Sequence, residues 1–336
     1  MSRKRVRLVD VAERAGVSRA AASLVLNGRH QELRISEASR ERVEQAARAL
    51  GYRPNLAARG LRTNTSWTIG LVPDTVAAEP FAGDMIRGAI AVAQEHDHLL
   101  LMGETEGKAW LEREVVSAML DRQIDGLVFA SMFTRTREIP AFATAVPVVL
   151  LNCTTTQARL PTVVPDERQA GRTSAETLLA AGHRDGIYLV GERSRDVIAA
   201  RERSRGIRAA VTAAGTRLAG TVDCLWWPQD AYAAVSRLLA RARPTALICL
   251  NDRIALGAYQ ALQEAGLRVP DDVSVVSFDD SDLASWLRPR LASIALPHYE
   301  MGRLAMELLV KGDPAVATHR VPMPLGAHSS ISEPAC

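Results

Sequence analysis

The chain has 336 residues, is 47% hydrophobic and only 4% aromatic, and carries 41 basic against 38 acidic residues for a formal charge of +3. That length exceeds one typical core and suits a small domain joined to one or two of ordinary size. No apolar run reaches the roughly 18 residues of a spanning helix, and the basic start MSRKRVR leads into an amphipathic segment instead of the apolar stretch of a secretory signal, so a cytoplasmic protein with no membrane partner is expected.

Cys153, Cys224, Cys249 and Cys336 are far apart and form no CxxC, which predicts buried thiols and neither a disulfide framework nor a metal site. Charge is distributed unevenly. Residues 1–65 hold fourteen Lys or Arg against six acids, leaving 27 basic and 32 acidic residues to the remainder. A basic head on an acidic body is the electrostatic footprint of a module that docks on phosphates joined to one with a different task.

Residues 8–27, LVDVAERAGVSRAAASLVLN, read as two short helices about a tight turn at Gly16, with Ser18 capping the second. Leu8, Val11, Ala12 and Ala15 share one face of the first, and Ala22, Val25 and Leu26 one face of the second, which is a helix-turn-helix pattern. The outward face of the second helix offers Ala20, Leu24 and Asn27 to a major groove, with Arg19 at its start. After the polar loop GRHQELR, Ser36 opens a third helix that Gly51 ends, and Val43, Ala46, Ala47 and Leu50 can close a three-helix core. GYRPNLAARGLRTNTS follows. Pro54 can start a short helix there and Gly60 weakens it, so local physics reads a linker.

In the body, apolar β-rich runs alternate with helical segments. The runs are TIGLV (68–72), LLLMG (99–103), DGLVFA (125–130) and VPVVLLN (146–152). After a loop at 153–165 come GIYLVG (186–191), TVDCLW (221–226), TALICLN (245–251) and SVVSFDD (274–280). This alternation predicts parallel sheets covered by helices, in two lobes, with a ligand beyond the carboxyl ends of the strands. There is no GxxxxGK[ST] loop, HExxH, GxSxG elbow or Gly-rich dinucleotide fingerprint, which disfavours an enzyme and implies no cofactor. His96 and His98 flank Asp97 as at a solvated helix end. Polar groups instead end the strands: Asn251 and Asp252 after one, Asp279 and Asp280 after another. Asp252 and Asp280 read as helix caps. Phe81, Trp226, Phe278 and Trp286 sit on predicted strand ends or loops, where an aromatic face can stack on a sugar ring or a purine.

DVAERAGVS, SLVLNG, the ISE opening of the third helix and GYRPNLAARGLR together resemble the DNA-binding head and hinge of the lactose-repressor (LacI/GalR) family, and TIGLVPD, LNDRIALGAYQAL, DDVSVVSFDD and ASIALPHYEMGRLAMELL extend the resemblance over nearly all of the chain. It implies a head at 1–53, a hinge at 54–65 and a two-lobed effector-binding and dimerisation domain at 66–336, like a periplasmic binding protein. The chain would cross between lobes three times. Lobe 1 would hold about 66–164 and 292–318, and lobe 2 about 165–291 and 319–332.

The resemblance places Ser18, Arg19, Ala20, Ala21, Leu24, Asn27 and Tyr52 at operator DNA, with hinge residues Asn55 and Ala58 and a minor-groove wedge, Leu61. It places Arg203 of the Arg-x-x-Gly in RERSRG, Asn251 and Asp279 on the hydroxyls of a small effector, with Asn152, Trp226 and Phe278 beside them. Ala21 departs from the usual Thr, Leu24 from an outward position that often carries a base-reading Arg, and the loop after Asn27 is three residues longer than usual. The expectation is a homodimeric repressor on a palindromic operator, controlled by a sugar, with no heptad tail for a tetramer. A purine co-repressor is the alternative. A transporter's solute-binding protein would share the body, but not the basic head or the missing signal peptide.

Overall fold

A glycine and a serine bracket the turn on which the head is built. Helix α1 (Leu8–Ala15) stops at Gly16, whose φ of +65° only glycine adopts without strain, and Ser18 starts α2 (Arg19–Leu26) by accepting from the Ala21 N–H at 3.1 Å. Ser36 does the same for α3 (Glu37–Leu50) through the Ser39 N–H. Such caps contribute about 1 kcal/mol each. Val11, Ala12, Ala15, Ala22, Val25, Val43, Ala46 and Ala47 form the buried core of this unit, with Leu8, Leu26, Leu50 and Tyr52 packed against it. The small side chains let three short helices approach closely.

The computed structural model describes residues 6–27, 35–52, 65–75, 82–157, 159–191, 197–312 and 316–334, and the chain divides into compact units of residues 1–66 and 67–336. Among the described residues no helix is long and apolar enough to cross a membrane.

The second unit holds two parallel sheets. The first runs β11-β5-β4-β3-β1-β2, with β1 (Thr68–Pro73), β2 (Leu99–Met102), β3 (Gly126–Thr136), β4 (Val148–Thr154), β5 (Thr162–Pro165) and β11 (Thr318–Val321). The second runs β10-β9-β8-β6-β7, with β6 (Ile187–Val190), β7 (Gly220–Val222), β8 (Ala246–Cys249), β9 (Ser274–Asp279) and β10 (Ala292–Ala295). Successive residues of a strand face opposite sides. Thus Val128 and Ala130 of β3 pack with α4 (Ala82–Glu95) and α11 (His298–Val310), while Leu127 and Phe129 pack on the face that carries α5 (Ala109–Leu120). Burial on both faces is why these strands read as nearly continuous apolar runs.

Among the described residues five helices attend the second sheet: α6 (Glu167–Ala180), α7 (Ile198–Ala213), α8 (Pro228–Leu239), α9 (Asp252–Glu264) and the short α10 (Asp282–Trp286). The first two meet backbone to backbone, as α4 and α11 do through Gly88 and Gly302. A Cβ added to Gly171 of α6 would lie 2.1 Å from the Arg203 carbonyl oxygen of α7, and one on Gly206 would lie 2.0 Å from that of Arg168. This reciprocal contact sets how far Arg203 reaches.

The chain crosses between lobes three times, but the crossing points differ from those expected. β10 pairs with β9, so 292–295 belongs to the second lobe, and the crossing follows it, at the start of α11. β11 pairs with β5 in the first lobe, so the last crossing comes after Val321. The tail then returns to the second sheet, where the Val275 N–H donates to the Ser330 carbonyl and His183 lies 3.1 Å from that of Ser332. Two strand expectations also change. The presumed loop at 153–165 contains β5, whose four residues follow Pro161 and end on Pro165, too few to show a period. The run 221–226 is extended only to Val222, after which the chain turns toward α8.

Candidate effector cleft and DNA-reading helix

The cleft is assembled at the carboxyl ends of both sheets, around Arg203. This side chain is 2% exposed. Its Nε donates to Glu167 Oε2 at 2.6 Å, Nη2 to Glu167 Oε1 at 3.1 Å and Nη1 to the Leu250 carbonyl at 2.6 Å. Nη1 also stands 3.6 Å from Asp279 Oδ1. The guanidinium lies over the Phe278 ring, 4.6 Å from its centroid, and 5.9 Å from that of Trp226. A bidentate carboxylate and two aromatic faces immobilise the charge before any ligand arrives.

Asp279 owes its position to a strained turn. It has φ +108° and Asp280 φ +47°, both in the region that side chains other than glycine avoid. Buried Asp252 holds this turn: its Oδ2 accepts from the Ser281 N–H at 2.8 Å and hydroxyl at 2.7 Å, its Oδ1 from the Ser293 hydroxyl at 2.7 Å, and Ser293 in turn accepts from the Asp280 N–H. Asp252 is therefore a brace between three segments, not the helix cap that its position suggested. Asn251 is the cap of α9, with Oδ1 accepting from the Ile254 N–H at 2.7 Å while the residue still lines the cleft. Burial pushes the Asp279 carboxyl up to about 8; Arg203 opposes that, and Asp252 and Glu167 add to it.

The cleft leaves about 630 Å3 of empty space, its opening to solvent included. The first lobe contributes Met132, Phe133, Thr134 and Asn152, and the second contributes Glu167, Arg203, Trp226, Asn251 and Asp279, with Val197 and Ala199 of α7. Leu296 and His298 line it from the crossing into α11. Burial, then the Arg203 charge, pulls His298 down to about 4, so its imidazole is neutral and can both donate and accept. Trp226 is fixed by donation from Nε1 to the Gly191 carbonyl at 2.9 Å.

Most of the expected cleft residues converge, with instructive exceptions. Asn152 lines the cavity, yet both its amide donors are spent on the Ser131 and Met132 carbonyls at 3.0 Å, and its oxygen accepts from Thr134 at 2.5 Å. Its work is to hold the irregular end of β3, where the pairing with β4 slips between Ala130 and Arg135. Phe278 is fully buried and supports Arg203 from beneath, so it does not form the cleft wall expected of it. Trp286 is 68% exposed and absent from the described lining. Phe81 lies outside the described residues. Glu167, His298 and the Met132–Thr134 stretch were not singled out in the sequence.

In the head, Ser18, Arg19 and Ala20 are exposed and Ala21 and Leu24 half-buried. Asn27 turns its amide back to the Ser23 carbonyl at 2.6 Å, and Tyr52 packs on the head core instead of standing free. Much of the positive charge of α3 is internally paired: Arg40 with Glu37 and Glu44, Arg48 with Glu44, and Arg42 on the Ala15 carbonyl. Asn55, Ala58 and Leu61, and the long loop at 28–34, lie outside the described residues.

Comparison with known proteins agrees with this architecture. Residues 7–55 match the bacterial regulatory proteins of the lacI family, and residues 66–325 match the periplasmic binding proteins and sugar binding domain of the LacI family. The chain is 33% identical to the HTH-type transcriptional regulator AscG of Escherichia coli over 88% of each chain, and 30% identical to the ribose operon repressor of Haemophilus influenzae over 90% of each. A Lac repressor dimer solved on its operator with the anti-inducer ONPF superposes with a TM-score of 0.78 at 26% identity, covering 98% of this chain and 100% of that one. With a capped helix-turn-helix head and a two-sheet body closing on a polar cleft, the chain belongs to the LacI family of DNA-binding transcriptional regulators.

Proposed function

We propose that the protein is a homodimeric repressor whose hold on a near-palindromic operator is set by a sugar-like effector in the cleft between its lobes. The observation that carries this reading is the Arg203–Glu167–Asp279 cluster. It is an array of fixed donors and acceptors with the Trp226 face beside it, which suits adjacent hydroxyls on a ring with an apolar side. Effector binding would favour one lobe arrangement over another and so change the spacing of two hinges formed by residues 54–65. Only its difference in affinity between arrangements can shift DNA binding.

Exposed apolar side chains support the dimer. Leu99 and Met102 are 65% and 49% exposed on β2, an edge strand, and Leu225, Trp227 and Trp286 are more than half exposed on the second lobe. A monomer rarely leaves an edge strand and tryptophans so open. A panel of aldoses titrated while following tryptophan fluorescence tests the effector reading. Saturable binding that alters operator affinity and leaves the sugar unchanged is expected, and ligands that fill the cleft without altering operator affinity would contradict it.

Asp279 gives this binding a pH signature. Hydroxyl donors prefer the ionised carboxylate, whose folded-state value is raised to about 8, so effector affinity should rise about tenfold from about pH 7 to about pH 9 and then level off. Isothermal titration across that range should show the rise in the natural protein and a flat profile in Asp279→Asn.

On the DNA side, Arg19 at the start of α2 would supply the main polar base contact, and Leu24 would pack on a thymine methyl. Leu24→Arg should move the preferred base at one position of each half-site toward G. Selection of random duplexes reads this out, and an unchanged preference would count against Leu24 as a base reader.

A further inference from the structure

We propose that the effector of this cleft is uncharged, and that the cleft excludes phosphorylated and carboxylated analogues of the molecule it accepts. The inference rests on reading the cleft as the effector site, and goes beyond it by assigning the charge class of the ligand. The charges on the described walls of the cleft carry it. Anions are usually held by a guanidinium with a fork of N–H groups to spare. Here the buried guanidinium is already engaged: Arg203 gives two hydrogen bonds to Glu167 and one to the Leu250 carbonyl, and Nη1 faces Asp279 at 3.6 Å.

Three carboxyl groups surround that one cation, because Asp252 is buried behind the same turn. The imidazole of His298 is neutral and adds no positive charge. Arg253, the other cation among the described lining residues, lies over the Trp227 ring, 4.7 Å from its centroid. A phosphate group placed against Arg203 would have to displace Glu167 and sit beside Asp279, leaving buried carboxylates without their counter-charge. Hydroxyls ask for no such exchange. They can donate to Asp279, and they can accept from Asn251 and from the first turn of α7, whose N-cap residue Val197 supplies no side-chain acceptor and lines the cavity with Ala199.

The test uses the full-length protein, isothermal titration at constant ionic strength, and probes that do not require the natural effector: inorganic phosphate, and the matched pairs ribose with ribose 5-phosphate and glucose with glucose 6-phosphate. The natural protein should show no saturable binding of phosphate or of either phosphorylated sugar. The double variant Glu167→Gln with Asp279→Asn, which leaves the guanidinium without the Glu167 charge and without the Asp279 carboxyl group that faces it, should gain a saturable phosphate site at least about tenfold tighter than any in the natural protein.

A phosphorylated sugar that binds the natural protein better than its parent would overturn the inference while leaving a small-molecule effector intact. Inorganic phosphate held saturably by the natural protein, at the α7 first turn or elsewhere in the cleft, would overturn it equally. A folded double variant that still refuses phosphate would show that these carboxylates are not what excludes it. If the natural protein binds neither member of a pair and the double variant gains phosphate, the charge assignment stands and the sugar reading loses support. The matched pairs on the natural protein remain decisive even if the double variant fails to fold.

Discussion

Arg203→Met should lower the stability of the effector domain by about 3–5 kcal/mol and abolish the response of DNA binding to any effector. The substitution keeps much of the side chain's length and apolar stem but removes the charge. Glu167, 5% exposed, would then be buried without a partner, and the Leu250 carbonyl would lose its donor. Removing one member of a buried pair costs far more than the net value of the pair, because the survivor's desolvation is no longer offset. Adding Glu167→Leu to Arg203→Met should therefore restore a large part of the lost stability without restoring the effector response. Urea unfolding of the two single variants and the double variant measures the coupling, and additive losses would contradict a direct pair.

Gly171→Ala should destabilise the second lobe by about 1–3 kcal/mol and weaken effector binding with it. The new methyl would meet the Arg203 carbonyl oxygen at 2.1 Å and its Cα at 2.8 Å, both backbone atoms that cannot step aside. α6 and α7 must part, and Glu167, one turn before Gly171 on the same face of α6, would be drawn away from Arg203. Gly83→Ala in α4 is the control with the opposite sign. The nearest atom to its added methyl is Arg87 Nη1 at 3.8 Å, so the better helix former should stabilise by up to about 1 kcal/mol. Thermal unfolding distinguishes the two, and a neutral Gly171→Ala would mean that the helix pair is looser than described.

The parts of the molecule that local chemistry dictates were legible before the fold was known. Ser18, Ser36, Gly16 and Gly51 each act within one turn of chain, and the head followed from them. Strand runs longer than four residues were equally plain, since burial on both faces leaves an unbroken apolar signature. What escaped depends on distant partners. Glu167 at the start of a helix looks like an acid favoured by the helix dipole, and nothing near it in sequence points to Arg203, 36 residues on. Phe278 near the end of its strand suggests a cleft wall, but alternation turns it inward beneath the guanidinium. β3 continues past Ala130 because Asp74 Oδ1 accepts from the Met132 N–H at 3.0 Å and Asn152 holds the next carbonyls, contacts made across the lobe. The lobe boundaries at 292 and 318 were displaced for the same reason: which sheet a four-residue strand joins is settled by pairing.

Selection of random duplex DNA by the purified protein at fixed, moderate salt tests the central claim most directly. The expected result is a near-palindrome with two half-sites on one face of the duplex and an easily kinked central step, bound more weakly or more tightly when the effector fills the cleft. Binding that depends on salt alone, with no preferred sequence in the presence or absence of candidate effectors, would contradict it.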